Sequence, residues 1–364
     1  MAKLSEICTI NMGQSPESTT YNENGEGLPF FQGNADFGKI HPNVRVWCNA
    51  PKKIAHKNDI LISVRAPIGA LNVADSDCCI GRGLASLSVN NSVSVAEYIW
   101  YALESKVDYL ISMGTGSTFK AIGKNILFDL DIPLPPLEIQ SQIAANLDKV
   151  THTIDLCNAI LEKLDLLVKS RFVEMFCNTD DRRTIADICS IITDGTHQPP
   201  KFTQDGIPFL FVSNIVTNEI TYNAEKFISE ETYDELYKRT PIEIGDIVLS
   251  TVGSYGHPAV VKTNKKFLFQ RHIAYLKPIS SVVNSIYLHS AILSNDAQRQ
   301  IEERVKGIAQ KTLNLSEIRK ITVPIPPLAL QEQFAGFVEQ TDKSKFIAIN
   351  IKKIIRRVRL NDQF

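Results

Sequence analysis

The chain has 364 residues, 44% of them hydrophobic and 22% charged, which is too long for one ordinary domain and apolar enough for more than one core. Its 39 Lys and Arg against 40 Asp and Glu leave a formal net charge of −1. That argues against a sequence-independent DNA coater, whose affinity would rest on phosphate neutralisation by a basic surface. No apolar run approaches the ~20 residues of a membrane helix, and Met1–Gln14 carry no signal-peptide pattern, so the cytoplasm is the expected compartment.

In chain order, short β-type runs come first, with Asp59–Val64 the clearest, bounded by Gly, Pro and Asn turn signals. Apolar residues at helical spacing predict a helix over Val95–Ser112. A Gly-containing loop and one more apolar strand lead to Ile132-Pro133-Leu134-Pro135-Pro136. Proline has no N–H for a ladder and disfavours helix before it, so the segment is a hard stop. A long helix is predicted from Leu137 to about Cys177, where Ile143, Leu147, Val150, Ile154, Cys157, Leu161, Leu164 and Val168 alternate steps of four and three. Such a heptad stripe is a narrow seam, the kind one long helix buries against another. Roughly 40 residues would span about 60 Å.

The plan then begins again. Asp246–Val252 reads as a strand and Ser285–Lys306 as a helix, and Val323–Ala335 repeats Ile132–Ala144 at a shift of 191 residues, with three prolines, one leucine and two glutamines coinciding. Earlier pieces pair in the same order: Leu4–Cys8 with Ile185–Cys189, Gly27–Phe31 with Gly206–Leu210, Asn58–Ser63 with Gly245–Ser250, and Gly81–Ala85 with Gln270–Ala274. The chain is a duplicated unit. Its last helix, Leu328 to about Leu360, carries a less regular stripe of Phe337, Ile347, Ile351, Ile354 and Val358, with Phe334 outside it. The two long helices are expected to pair antiparallel, because neither seam is stable alone in water. The expected organisation is two α+β domains, 1–136 and 181–327, each followed by a spacer helix, 137–180 and 328–364.

Signatures of catalysis are missing from the sequence. The three Pro-Pro pairs precede Leu137, Lys201 and Leu328, whereas an amino-methyltransferase motif needs an aromatic there. Gly116 to Gly123-Lys124 is too long for a P-loop, and Asn125 stands where Ser or Thr would hold Mg²⁺. None of the seven histidines falls at zinc-ligand spacing, and Val252-Gly253-Ser254-Tyr255-Gly256 lacks the first spacer of a nucleophile elbow. Seven cysteines, an odd number without a C-x-x-C pair, read as reduced and mostly buried.

The proline-ended strand, the Leu-Pro-Pro-Leu-x-x-Gln entry to a long heptad helix and the doubling of the whole plan resemble type I restriction-modification specificity subunits. The resemblance covers essentially the entire chain and is most specific at Ile132–Ala144 and Val323–Ala335. It implies two mixed α/β target recognition domains, each reading half of a split, asymmetric DNA site, separated by an antiparallel coiled coil acting as a ruler. It also implies partners: double-stranded DNA, two modification (methyltransferase) subunits that use S-adenosylmethionine, and restriction subunits that use ATP and Mg²⁺. The chain itself is then a non-catalytic subunit with no cofactor or metal bound directly. A scaffold protein and a divergent DNA-modifying enzyme are the alternatives.

DNA-contacting candidates follow from chemistry, as polar or basic side chains in Gly-rich loops at strand ends. In the first domain they are Gln32, Asn34, Arg65, Arg82 and Lys120; in the second, Lys201, Ser254, Tyr255, His257, Gln270, Arg271, His272 and Lys311. Arg82 and Arg271 stand out because the repeat aligns them. Arg is suited to guanine, and Asn34 or Gln270 to adenine. The cluster Lys352, Lys353, Arg356, Arg357 and Arg359 reads either as a face toward DNA or an acidic partner, or as a solvated helix flank.

Overall fold

The computed structural model describes residues 1–116, 120–307 and 310–361, with side chains to residue 356. Its contacts divide the chain into two compact units, residues 1–156 with 351–364, and residues 157–350.

Unit 1 is built on a four-stranded antiparallel sheet in the order Cys8–Met12, Leu84–Val89, Ile60–Ser63, Leu71–Val73. Successive strand side chains point to opposite faces, and here both faces are covered. Ile60, Ile62, Ala85 and Leu87 cluster with Tyr98, Ile99 and Ala102 of helix Ala96–Ser105. Leu61 and Leu84 pack on the other side with Phe31 and Ile80. Double burial is why Asp59–Val64 reads as a nearly continuous apolar run. Leu28–Phe31 lies parallel to Cys78–Ile80 in a second sheet, and Ala2–Lys3 pairs with Asp131–Ile132.

Unit 2 repeats this topology. Its main sheet runs Cys189–Asp194, Ile273–Pro278, Ile247–Ser250, Pro258–Val260; Ile207–Leu210 lies parallel to Leu268–Phe269; Arg182–Thr184 pairs with Thr322–Pro324. Every aligned sequence segment falls on an equivalent element. The aligned Asn58-Asp59 and Gly245-Asp246 show why: Asn58 and Gly245 both adopt left-handed backbone, at φ 70° and 92°. The buried Asp59 and Asp246 then each accept the N–H three residues back, from His56 and Glu243, at 2.8 Å.

Both units end on the same buried amide. Gln140 is fully buried; its Nε2 donates to the carbonyls of Val93 (3.1 Å) and Pro135 (2.8 Å), and its Oε1 accepts from Ser94 Oγ and Val95 N–H. Gln331, also fully buried, donates to Val282 (3.1 Å) and Pro326 (2.8 Å) and accepts from Asn284 N–H at 2.9 Å. The tyrosines beneath, Tyr98 and Tyr287, donate to the Pro133 and Pro324 carbonyls. The coinciding prolines and glutamines therefore mark a hydrogen-bonded clasp between the first turn of a long helix and the domain before it.

The first long helix, Leu137–Phe176, has 40 residues, and the second, Leu328–Asn361, has 34. Every member of the predicted first stripe (Ile143, Leu147, Val150, Ile154, Cys157, Leu161, Leu164, Val168) is buried or half-buried. The stripe also continues to the buried Phe172 and Phe176. In unit 2 the end of this helix packs on the second: Phe172 and Phe176 meet Phe334 at ring centroid distances of 5.6 and 5.5 Å, and Lys345 Nζ reaches Asp165 at 2.7 Å. Going back from Phe176 to Asp165 corresponds to going forward from Phe334 to Lys345, so these segments run antiparallel.

The second stripe needs correction. Phe337 is half-buried, but Ile347, Ile351 and Ile354 are exposed, Ile347 and Ile354 by 60% and 61%. The side chain of Val358 lies outside the described residues. Buried instead are Gln331, Phe334, Val338, Thr341 and Ala348, with Lys345 half-buried. Hydropathy missed this face because polar residues share it, each bonded. Two predicted helices are also each broken in two. Val95–Ser112 divides at Lys106 into Ala96–Ser105 and Val107–Ser112. Ser285–Lys306 divides into Ser285–Ile292 and Asn295–Arg304, because the Ser294 side chain caps the second piece by accepting from Ala297 N–H. Six cysteines are buried and Cys177 is exposed.

Candidate nucleic-acid interface

The candidate residues concentrate where strands end, and close backbone approach builds that edge. In unit 1, Gly13 N–H donates to Leu84 O, Gln14 N–H to Ile80 O, Gly81 N–H to Phe31 O and Val64 N–H to Gly83 O, all at 2.8–3.0 Å. Arg65 bridges Ala121, and Ala66 N–H donates to Lys120 O at 3.1 Å. Unit 2 repeats the set: Gly195 N–H to Ile273 O, Thr196 N–H to Phe269 O, Gln270 N–H to Leu210 O, Thr251 N–H to His272 O, and Gly253 N–H to Lys311 O at 3.1 Å. A Cβ on Gly13 would overlap the Gly81 carbonyl oxygen, and one on Gly195 that of Phe269. Glycine is thus required at both points, and a bulge between Cys189 and Ile191 offsets Gly195 by one residue from a plain alignment.

These bonds make Arg82 equivalent to Arg271, and Lys120 to Lys311. Each lysine precedes a residue held by a matching pair of backbone bonds, Ala121 with Thr115 (both 2.9 Å) and Thr312 with Lys306 (3.0 and 2.8 Å). The lysine pair was not apparent from the four aligned segments, although its 191-residue shift, the same as that of the proline segments, was a signal for it. Among the described residues, none of Arg65, Arg82, Lys120, Lys201, Arg271 or Lys311 forms an ion pair, and all six are exposed.

Gln32 stands at the same edge in unit 1; its Oε1 accepts from Ser15 Oγ at 3.0 Å, and Ser15 Oγ also accepts from Arg82 N–H. A Cβ on Gly81 would lie 2.6 Å from Gln32 Oε1, so this amide fills the space that a side chain at 81 would take. In unit 2 that position carries its own amide, Gln270. Asn34 opens the short turn Asn34–Asp36, whose Asp36 carboxylate accepts from Gln32 N–H.

Arg271, His272 and Thr251 line an open cleft of about 280 Å³ together with Asp194, Gln310 and Asn314. His272 Nε2 accepts from Arg271 Nε at 3.3 Å, which requires a neutral ring. Burial, and next the Arg271 charge, hold His272 below the usual histidine range. Asp194, which sequence reasoning passed over, accepts from Arg239 (2.7 Å) and contacts the His197 ring (2.8 Å). Its signal was its place just before Gly195.

Other candidates fall elsewhere or are differently engaged. The half-buried His257 ring bonds Asn218 Oδ1 at 3.1 Å, and the backbone N–H of His257 donates to Ser250 Oγ. Ser254 is exposed, while Tyr255 is half-buried, with Lys311 Nζ 6.0 Å from its ring centroid. Lys201 stands in the loop before Ile207–Leu210, where Thr203 N–H donates to Phe227 O; no hydrogen bond among the described residues ties it to the Arg271 edge. Of the tail cations, Lys353 and Arg356 are exposed and Lys352 half-buried, and the side chains of Arg357 and Arg359 lie outside the described residues. Among the described residues no group of three or more His, Cys, Asp or Glu is placed to hold a metal ion, and no helix is long and apolar enough to cross a membrane.

A duplicated mixed α/β unit twice sets exposed cations beside amides at a strand-end edge, the arrangement by which a domain meets nucleic acid. The model of the type I restriction modification DNA specificity domain matches residues 1–166 and 181–357, and the chain belongs to that family. A chain from Methanocaldococcus jannaschii, assigned as the specificity subunit of the type I restriction enzyme MjaX, is 45% identical over 159 residues, 43% of this chain and only 37% of the relative's length. The Escherichia coli type I restriction enzyme EcoBI specificity subunit is 22% identical over 93% of this chain and 78% of its own. The crystal structure of a type I restriction-modification system S subunit from M. genitalium shares the fold over 99% of this chain and 93% of that one, with a TM-score of 0.58 at 15% identity.

Proposed function

We propose that the chain is the sequence-specific DNA-binding specificity subunit of a type I restriction-modification complex. It reads a split, asymmetric site and carries no catalytic centre of its own. The observation that carries this reading is the duplicated edge, with Arg82 and Lys120 in one unit matched by Arg271 and Lys311 in the other. Residues 1–136 and 181–327 act as target recognition domains, and 137–180 with 328–364 as spacer helices. The antiparallel contacts of Phe172, Phe176 and Asp165 with Phe334 and Lys345 support a coiled coil as the spacer. Two non-identical readers on a fixed strut read two unlike half-sites at a set separation, as dimer geometry sets half-site spacing elsewhere.

DNA meets Gln32, Asn34, Arg65, Arg82 and Lys120 in the first domain. In the second it meets Lys201, Ser254, Tyr255, His257, Gln270, Arg271, His272 and Lys311. The chain binds no cofactor directly. S-adenosylmethionine is used by two modification subunits, and ATP with Mg²⁺ by restriction subunits, in the cytoplasm. Co-expression with a cognate methyltransferase subunit followed by methylome mapping tests this. The expected result is a bipartite motif with unlike halves and a constant gap; a contiguous motif, or methylation unaffected by deleting this chain, rejects the reading.

A further inference from the structure

The two units are alike and unlike in a way that separates gripping from reading. By matched backbone bonds, Arg82 corresponds to Arg271 and Lys120 to Lys311. Immediately beside them the units diverge: Gly81 against Gln270, Gly83 against His272, Arg65 against Val252. A side chain that reads a base edge demands that base at its position. Where two readers face unlike half-sites, what both halves offer alike is the phosphate backbone.

Resting on the split-site reading above, we propose a division of labour at each edge. Arg82, Arg271, Lys120 and Lys311 hold phosphates, whereas base discrimination comes from Gln32 and Arg65 in unit 1 and from Gln270 and His272 in unit 2. The local chemistry agrees. All four shared cations are exposed and lack an ion pair among the described residues, so they are open to an anion. Arg271 donates its Nε to His272, and among the described residues no ion pair engages its terminal amino groups. The glutamine amides arrive at the same place by different routes, from residue 270 itself in unit 2 and from Gln32 over the bare Gly81 in unit 1. A duplication that keeps its grip while exchanging its reading groups gives this pattern.

The test uses the full chain purified with its co-expressed methyltransferase, a duplex carrying the mapped motif, a scrambled duplex and a salt series. Arg271→Ala and Lys311→Ala should weaken binding to both duplexes by the same factor, each lowering the slope of log affinity against log salt by about 1. Arg271→Lys should restore most of that loss, since a phosphate accepts a point charge where a bidentate guanine contact would not. Gln270→Ala and His272→Ala should cost about tenfold or more on the motif, leave the scrambled duplex unchanged and relax one half-site only. Because these side chains are exposed or half-buried at a rim, the variants should fold, and a melting curve checks that. If Arg271→Ala or Lys311→Ala instead collapses the ratio between the two duplexes, the division is overturned. If the wild-type complex shows no preference for its mapped motif, the split-site reading itself fails, a different and separately visible result.

Discussion

A buried amide with every bond made contributes far more by its absence than by its presence. Removing Gln331 leaves the Val282 and Pro326 carbonyls and the Asn284 N–H without their partner in a buried clasp. Gln331→Ala should therefore cost about 1–3 kcal/mol, read by chemical denaturation, and Gln140→Ala should cost a similar amount. The histidines add a pH dependence of known sign. Burial lowers His272, with the Arg271 charge second, and burial lowers His289 against the opposing bond to the Asn218 carbonyl. A lowered pKa means that the folded chain favours the neutral ring. The associated stability is complete above about pH 6.5 and is lost as the pH falls below it. Melting temperature should drop on acidification from about pH 7.5 to 5, and the drop should be shallower in a His272→Asn, His289→Gln double variant.

Among the elements, the strands and the first long helix were legible because burial and hydropathy coincide there. The second long helix was not, since its packed face holds Gln331, Thr341 and Lys345 while Ile347 and Ile354 face outward. A stripe of apolar residues predicts a buried face only when polar residues on the true face lack local partners. Here Lys345 finds Asp165, and Thr341 Oγ1 donates to the Phe337 carbonyl. Two substitutions separate the faces. Phe334 is fully buried among Phe172, Phe176 and Tyr287, and Phe334→Ala should cost about 3–5 kcal/mol in an equilibrium unfolding measurement. Ile347→Ala on the exposed face should stay within about 0.5 kcal/mol. Helix breaks at Lys106 and Ser294 escaped periodicity because the apolar spacing continues across them; in the second case a single capping hydroxyl decides the division.

For the whole molecule, near-neutral charge and DNA binding are reconciled locally. Acids and bases balance overall, yet the strand-end edge keeps its cations unpaired among the described residues, which is where phosphate attraction acts. The proposed strut makes a geometric forecast. Inserting one helical turn of about four residues, near 5.4 Å, into the first long helix should lengthen the gap of the methylated motif by one or two base pairs and leave both half-sites intact. Methylome mapping of the insertion variant reads this directly, and an altered half-site with an unchanged gap would contradict a strut.

By itself the sequence determined the duplication, the central strand of each copy, and the proline-to-helix junctions. Repeats, proline and heptad spacing act through local geometry, which one chain spells out residue by residue. Tertiary structure alone decided that Gln32 fills the space over Gly81 and which face of the second long helix is buried. Those outcomes depend on backbones far apart in the chain approaching within hydrogen-bond reach, and on polar side chains finding distant partners, neither of which leaves a periodic trace.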